Sequence, residues 1–476
     1  MEKRWVLKPA VSSEKIEKLA EQMRFSREMT QLLWHRGVET YDQARDFFRP
    51  SLDKLHDPFL MADMAKAIDR IEEAVAKKEK VLIYGDYDVD GTTAVSLLYN
   101  FLKEYTAYLL TYIPDRYTEG YGISQKGIDY AKDKGCTLII ALDCGIRSIQ
   151  EVEYAKSKGI DFIIGDHHLP GERVPQALAV LDPHKEGCSY PYKDLSGCGI
   201  AFKIAQAFLQ KRGGDISKLE KYLDILAISI ISDIVPMTGE NRMLTQLGLK
   251  RINENPCAGI KTMLGLMSET AITCGVREVG FDIGPQINAA GRLEHAHQVV
   301  KMLTHDDEEK IREIAENIRE LNKQRKELDR SITKEALQLL QEEEKEGVRQ
   351  KINLVYHPEW HKGVVGIVAS RVIEKVYRPT LILTKDDRGK ITGSARSVHG
   401  VDIHGLLSRC EDLLDKFGGH PFAAGMTLDE SLFDTFRERM HALAHETITD
   451  EVLVEQVFID AVLPLYQITD QFLRRL

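Results

Sequence analysis

Short apolar runs alternate with amphipathic stretches between residues 63 and 181. The runs 80–84 (KVLIY), 107–113 (AYLLTYI), 137–142 (TLIIAL), 161–165 (DFIIG) and 178–181 (LAVL) have strand length. Helical spacing fills 63–78, 92–103, 124–134 and 148–158. Strands that stay apolar on both faces and are separated by helices predict a parallel sheet covered on both sides. The expected fold is α/β: a doubly wound parallel-sheet domain over 56–304, completed by further helices.

The pattern then changes. Ile311, Ile314, Ile318 and Leu321 recur at three- and four-residue steps, and Leu328, Ile332, Ala336 and Leu339 resume the stripe. This is helix periodicity. A helix of about 40 residues spans roughly 60 Å, so 305–349 is expected to be a long helix joining two domains. Its charges read as a solvated face. Arg325 alone breaks the stripe. Residues 350–446 form a second, smaller α/β pattern. Residues 1–55 read as a helical preface anchored by Leu32, Leu33, Phe47 and Phe48, and 447–476 opens a new β-rich pattern.

Composition narrows the class. A hydrophobic content of 43% and a charged content of 29% are ordinary for a soluble globular chain. The N-terminal residues are partly basic without an apolar segment, and no apolar run approaches the ~18 residues of a membrane span. A soluble, cytoplasmic protein is expected. Seven cysteines without a CxxC spacing argue against a zinc ribbon or a disulfide framework. The net charge of −10 disfavours nucleic-acid binding through bulk charge alone. It does not exclude a local cationic groove, and carboxylates that hold metal ions inflate the formal negative charge.

The strongest chemical signal is GDYDVDGTT at 85–93, between a strand and a helix. Asp86, Asp88 and Asp90 are crowded into five positions and repel one another unless a cation neutralises them. An EF-hand loop also opens this way, but its twelfth position requires Glu and here is Leu97. A phosphatase nucleophile loop, with Asp88 as nucleophile, would leave the other strand ends unexplained. Asp143 follows one strand, and Asp166, His167 and His168 follow the next. Asp233 follows the apolar run ISII. One strand-terminal Asp is usually a helix cap. Several converge on the crevice at the carboxyl ends of an open sheet. Aspartates mixed with histidine suit a two-metal centre for phosphoryl displacement, with Mn²⁺ or Mg²⁺ as the ions.

The Asp86–Gly91 segment together with Asp166-His167-His168 resembles the DHH phosphoesterase superfamily. PDRYTEGYG (114–122), LSGCGIAFK (195–203), GPQINAAGR (284–292), WHKGVVGIVASR (360–371), GSARS (393–397) and FGGHPFAAG (417–425) are similar, in order, to segments of its RecJ exonuclease family. The resemblance covers most of 40–430. It implies a DHH catalytic domain, a DHH-associated substrate-binding domain, and 5′→3′ hydrolysis of single-stranded DNA to mononucleotides in repair and recombination. A DHH phosphoesterase for short oligonucleotides or cyclic dinucleotides is the alternative, and a decayed, non-catalytic scaffold is a third reading.

The resemblance also implies residue roles. Asp86, Asp88, Asp90, Asp143, His167 and Asp233 become ligands of two ions, Mn²⁺ or Mg²⁺. His168 contacts the scissile phosphate and Asp166 orients an imidazole. Arg116, Asn288, Arg292, Ser394, Arg396, Gly418, Gly419 and His420 contact substrate phosphates. A helicase and a single-strand-binding protein are implied partners. Gln286 departs from the family, which often has Arg there. Residues 447–476 resemble the opening strand of an oligonucleotide-binding barrel. A chain stopping at that point is expected to hold long single strands weakly and degrade them distributively.

Overall fold

The structure, a computed structural model, describes residues 3–9, 11–268, 273–345 and 350–476. The last residues of the expected connector, 346–349, lie outside the described residues, as do residues 1–2 and 10 of the preface. The described strands are β1 (Arg4–Leu7), β2 (Lys80–Gly85), β3 (Leu109–Tyr112), β4 (Cys136–Leu142), β5 (Asp161–Gly165), β6 (Ala179–Leu181), β7 (Asn353–Tyr356), β8 (Thr380–Lys385), β9 (Ile391–Arg396), β10 (Lys416–His420), β11 (Ala423–Leu428) and β12 (Gln456–Ile459). The chain divides into two compact units, one of residues 40–322 and one of 1–39 with 323–476.

Unit 40–322 is a doubly wound α/β domain. Its sheet has the order β3-β2-β4-β5-β6, with every pairing parallel. Alternation along each strand sends side chains to opposite faces. Val81, Ile83, Leu138, Ile140 and Ile163 enter one core, and Leu82, Tyr84, Ile139, Phe162 and Ile164 enter the other. The helices Val89–Leu102, Gly197–Lys211 and Leu223–Ser232 belong to the first face. Gln125–Asp133 and Ile149–Ser157 cover the second. After β3 the chain returns past β2 to place β4 on its other side, so the strand order reverses between β2 and β4. That reversal is the topological switch point, outside which open α/β sheets bind ligands.

The apolar run before Asp233 is not a strand. It is the helix Leu223–Ser232, buried on every side. An all-round apolar helix carries no amphipathic signal, so its sequence cannot be told from that of a buried strand.

The expected connector is the helix Glu308–Lys345. Ile311 and Ile318 join the core of unit 40–322, while Ile332, Ala336 and Leu340 join a core with Trp360 and Val368 in the other unit. Arg325 interrupts the stripe because it is buried facing Asp329, whose carboxylate also accepts from Arg371 Nε at 2.6 Å.

Residues 350–446 build a mixed sheet of order β10-β11-β9-β8-β7, antiparallel except for β7 and β8. The residues read as one helical preface are shared between the two units. They also contain β1, which pairs in parallel with β12, Trp5 opposite Val457. Of the preface anchors, Leu33 is buried and Phe48 remains exposed.

Candidate metal centre and phosphate contacts

The carboxylates sit at the ends of strands and helices. Asp86 ends β2 and is buried. Asp88 caps the following helix, its Oδ1 accepting from Gly91 N at 3.1 Å. The turn is tight: a Cβ on Gly91 would lie 2.4 Å from Asp86 O, so only glycine fits. Asp143 ends β4 in a left-handed conformation, φ 60°, which aspartate tolerates better than most residues. Asp166 ends β5.

Asp166 is a hub. Its Oδ1 accepts from His168 Nδ1 at 2.8 Å and from the backbone N–H of His167 at 2.8 Å and of His168 at 3.2 Å. Its Oδ2 accepts from Ile146 N at 2.9 Å. Burial opposes the Asp166 charge, but these bonds and His168 outweigh it and hold the carboxyl below its usual range. The hub fixes the His168 imidazole and the backbone of His167 at the crevice.

His167 Nε2 lies 3.1 Å from Asp143 Oδ1, and 3.7 Å from both Asp90 Oδ2 and Asp233 Oδ2. Two donor sets have all their atoms within 4.8 Å of one another: Asp143 with His167 and His168, and Asp90 with His167 and Asp233. Asp86 and Asp88 fall outside these sets, yet their charges reach Asp143. Burial, then mutual repulsion, pushes the carboxyls of Asp86, Asp88, Asp143 and Asp233 above their usual range, Asp233 to about 9. Burial pushes the His167 imidazole down, towards its neutral, ligating form. Asp86 Oδ1, His167 Nε2 and Asp233 Oδ2 are buried without a hydrogen-bond partner. A divalent cation would answer both the repulsion and the orphaned atoms. The residues therefore fit the two-ion centre expected from the sequence.

Asp90 has a second task that its place in the motif does not reveal. Its Oδ2 accepts from Gly197 N at 2.5 Å, and its Oδ1 from Cys198 N at 2.8 Å and Ser229 Oγ at 2.6 Å. It ties the aspartate loop to the N-terminus of helix Gly197–Lys211, whose free N–H groups favour an anion. Sequence reasoning also missed Ser229 and Tyr121. The Tyr121 hydroxyl lies 3.2 Å from His168 Nε2. The only signal for either was its place inside the segments ISIISD and TEGYG.

Three of the expected phosphate contacts lie in unit 40–322. The Arg116 guanidinium lies 4.8 Å from the Tyr87 ring centroid. Asn288 and Arg292 are one turn apart on helix Gly284–Leu293, and a Cβ on Gly291 would meet Tyr87 O at 2.5 Å. Gln286 is buried on that helix and donates to Asp282 O.

The remaining five lie within the other unit, on β9 and β10, the two strands that flank β11. Ser394 is level with Gly425 and Gly418, and Arg396 with Ala423 and His420. Residues two apart share a sheet face, so Ser394, Arg396, Gly418 and His420 share one. Gly419 points to the other face and has φ 145°. Arg396 Nη1 donates to Ser394 Oγ at 2.8 Å. A Cβ on Gly366, in the first turn of helix Val365–Lys375, would lie 3.1 Å from both groups.

An Asp- and His-lined crevice at the switch point of a doubly wound sheet defines a DHH-type protein. The model of the DHH family N-terminal domain matches residues 80–230, and that of the DHHA1 domain matches 349–446. Within that class, the chain belongs to the RecJ family. It is 38% identical over 457 residues to the single-stranded-DNA-specific exonuclease RecJ of Bacillus subtilis (strain 168), covering 96% of this chain and 57% of that protein. It is 34% identical to the protein of that name from Escherichia coli (strain K12), covering 86% of this chain and 74% of that protein. The crystal structure of RecJ in complex with Mn²⁺ from Thermus thermophilus superposes with a TM-score of 0.85 at 28% identity, over 99% of this chain and 66% of that one. The chain thus spans little more than half the length of the Bacillus relative.

Proposed function

We propose that the chain hydrolyses single-stranded DNA from its 5′ end, releasing 5′-mononucleotides, in DNA repair and recombination. The observation that carries this reading is the set of carboxylate oxygens around His167 Nε2, with buried atoms of Asp86, His167 and Asp233 left unpartnered. Membership of the RecJ family supports the substrate and polarity.

Asp86, Asp88, Asp90, Asp143, His167 and Asp233 would hold two divalent ions, Mn²⁺ or Mg²⁺. Such ions supply Lewis-acid charge to the attacking and leaving oxygens of a phosphoryl displacement. The chain's own residues do the rest. Asp166 fixes the His168 ring through Nδ1, so that Nε2 can donate to a non-bridging phosphate oxygen once Tyr121 yields to substrate. Arg116, Asn288 and Arg292 align the adjacent phosphates, and a guanidinium can grip one with two parallel hydrogen bonds. Ser394, Arg396, Gly418, Gly419 and His420 would take phosphates in the DHHA1 unit.

Residues 447–476 are proposed to begin a nucleic-acid-binding barrel, with a helicase and a single-strand-binding protein as partners. No helix among the described residues is long and apolar enough to cross a membrane. A cytoplasmic location is proposed along with the DNA substrate.

End-labelled oligonucleotides incubated with Mn²⁺ or Mg²⁺ test the reading. A 5′ label should leave as a mononucleotide at the earliest times, and a 3′ label should shorten progressively. Internal cleavage, or full activity in excess chelator, would refute it. Preference for cyclic dinucleotides over DNA would favour the alternative substrate class.

A further inference from the structure

This inference rests on the single-stranded-DNA reading above. Asp233 ends helix Leu223–Ser232, and the next residue, Ile234, has φ 59°. A left-handed conformation is a genuine outlier for a β-branched side chain. Burial does not compensate for it, because Ile234 is 88% exposed.

A second unusual turn meets the same helix end. Residues Val279–Ile283 form a π-helical turn, a rare geometry found mostly at functional sites. The turn packs against the helix: a Cβ on Gly280 would be in van der Waals contact with Ile231 Cγ2 at 3.6 Å, and one on Gly284, the next residue after the turn, would lie 2.5 Å from Ser232 Oγ. Between these glycines, Phe281 is 75% exposed.

A single exposed apolar side chain needs no explanation. Here two flank the helix end that carries Asp233, and both are held out by backbone that folding alone does not favour. Strain of this kind concentrates at functional sites. Arg116, Asn288 and Arg292 supply contacts suited to phosphates, but none of them supplies an apolar platform for a base. An exposed phenyl face does, and it stacks on any base without selecting sequence.

We propose that Phe281 stacks on the nucleobase next to the scissile phosphate and that Ile234 packs against the same nucleotide. This is a base subsite beside the metal centre. It would let the crevice distinguish an unstacked single strand from a duplex, whose bases are not free to stack on Phe281.

The test uses the whole chain and 5′-phosphorylated oligodeoxynucleotides, either intact or carrying one abasic site at successive positions from the 5′ end. An abasic site next to the scissile phosphate should raise wild-type KM by ~5- to 150-fold. Phe281→Ala should raise KM on the intact strand by a similar factor and be indifferent to the abasic site, and Phe281→Trp should restore the discrimination. Ile234→Gly should raise Tm, by relieving the backbone, while raising KM on the intact strand. Equal losses for Phe281→Ala on intact and abasic strands, or no loss on either, would overturn the stacking assignment. A raised Tm with unchanged KM would remove Ile234 from the subsite. Quenching of 2-aminopurine placed at the same position, measured in an Asp143→Asn background, reports stacking without turnover. If the wild-type chain degrades no DNA, the proposed function fails by itself. Absent quenching alongside intact exonuclease activity sinks only the subsite.

Discussion

Gly197 lies so close to Asp143 that a Cβ on the glycine would come within 2.5 Å of the aspartate Cβ and 2.8 Å of its Cα. The N-terminus of helix Gly197–Lys211 thus presses on the backbone of one candidate ligand while its N–H groups hold another, Asp90. Gly197→Ala should displace Asp143, because the clash is with backbone and cannot be relieved by a rotamer change. Overpacking of this kind costs about 1–3 kcal/mol. Thermal unfolding should show that loss, and Mn²⁺ titration should show weaker binding, with turnover falling at least ~10-fold. Wild-type metal affinity in the variant would show that the contact is not positional.

Asp143 should separate stability from activity. It is buried among like charges, so removing its charge relieves repulsion in the metal-free protein. Asp143→Asn should raise the Tm measured in chelator and abolish turnover. Wild-type protein should gain ~2.7 kcal/mol at Mn²⁺ one hundred times its Kd, and the variant should gain much less at the same concentration. An unchanged Mn²⁺-dependent Tm would remove Asp143 from the ligand set.

Arg396 is held by Ser394 on a sheet face that it shares with Gly418 and His420. Arg396→Ala should weaken binding of single-stranded DNA equally across sequences. The slope of log K against log salt should fall by about 0.7 for one lost phosphate contact. Ser394→Ala should produce a smaller loss of the same kind, because it removes one of the bonds that orient the guanidinium and leaves the charge and the bond to Ala395 O in place. An unchanged slope would make Arg396 structural.

One acid-sensitive clamp lies away from the centre. Arg70, nearly buried, donates to Glu79 Oε2 at 2.6 Å and to Asp161 Oδ2 at 2.7 Å. Burial works against the Glu79 charge, but bonds from Thr137 and Arg70 outweigh it and hold the carboxyl below its usual range. A folded pKa below the unfolded value stabilises the protein above the unfolded value, ~4.3 for Glu, and that contribution is lost as pH falls through the folded pKa. Glu79→Gln should therefore lower Tm by about 1–4 °C at neutral pH, as expected for a partly exposed pair. The gap between wild type and variant should close below about pH 4. A gap that persists in acid would assign the effect to packing.

Much of this was legible in the chain. The runs at 80–84, 137–142 and 161–165 are observed as β2, β4 and β5, because β-rich apolar runs between helices have one economical solution, a covered parallel sheet. The strand-terminal positions of Asp86, Asp143 and Asp166 follow from that sheet. The long helix was readable because its stripe persists for ten turns. Three matters depended on tertiary structure. Asp233 comes from a helix, since periodicity is silent where every side of an element is buried. Arg325 fits its stripe because Asp329 is buried beside it and is shared with Arg371, a pairing that brings together residues 42 positions apart. β12 finds its partner in β1, 452 residues away. Local pattern decides which segments are helix or strand, because backbone geometry sets the period of burial. Which carboxylates meet, and which glycines must let them, depends on long-range approach, and no local pattern encodes that.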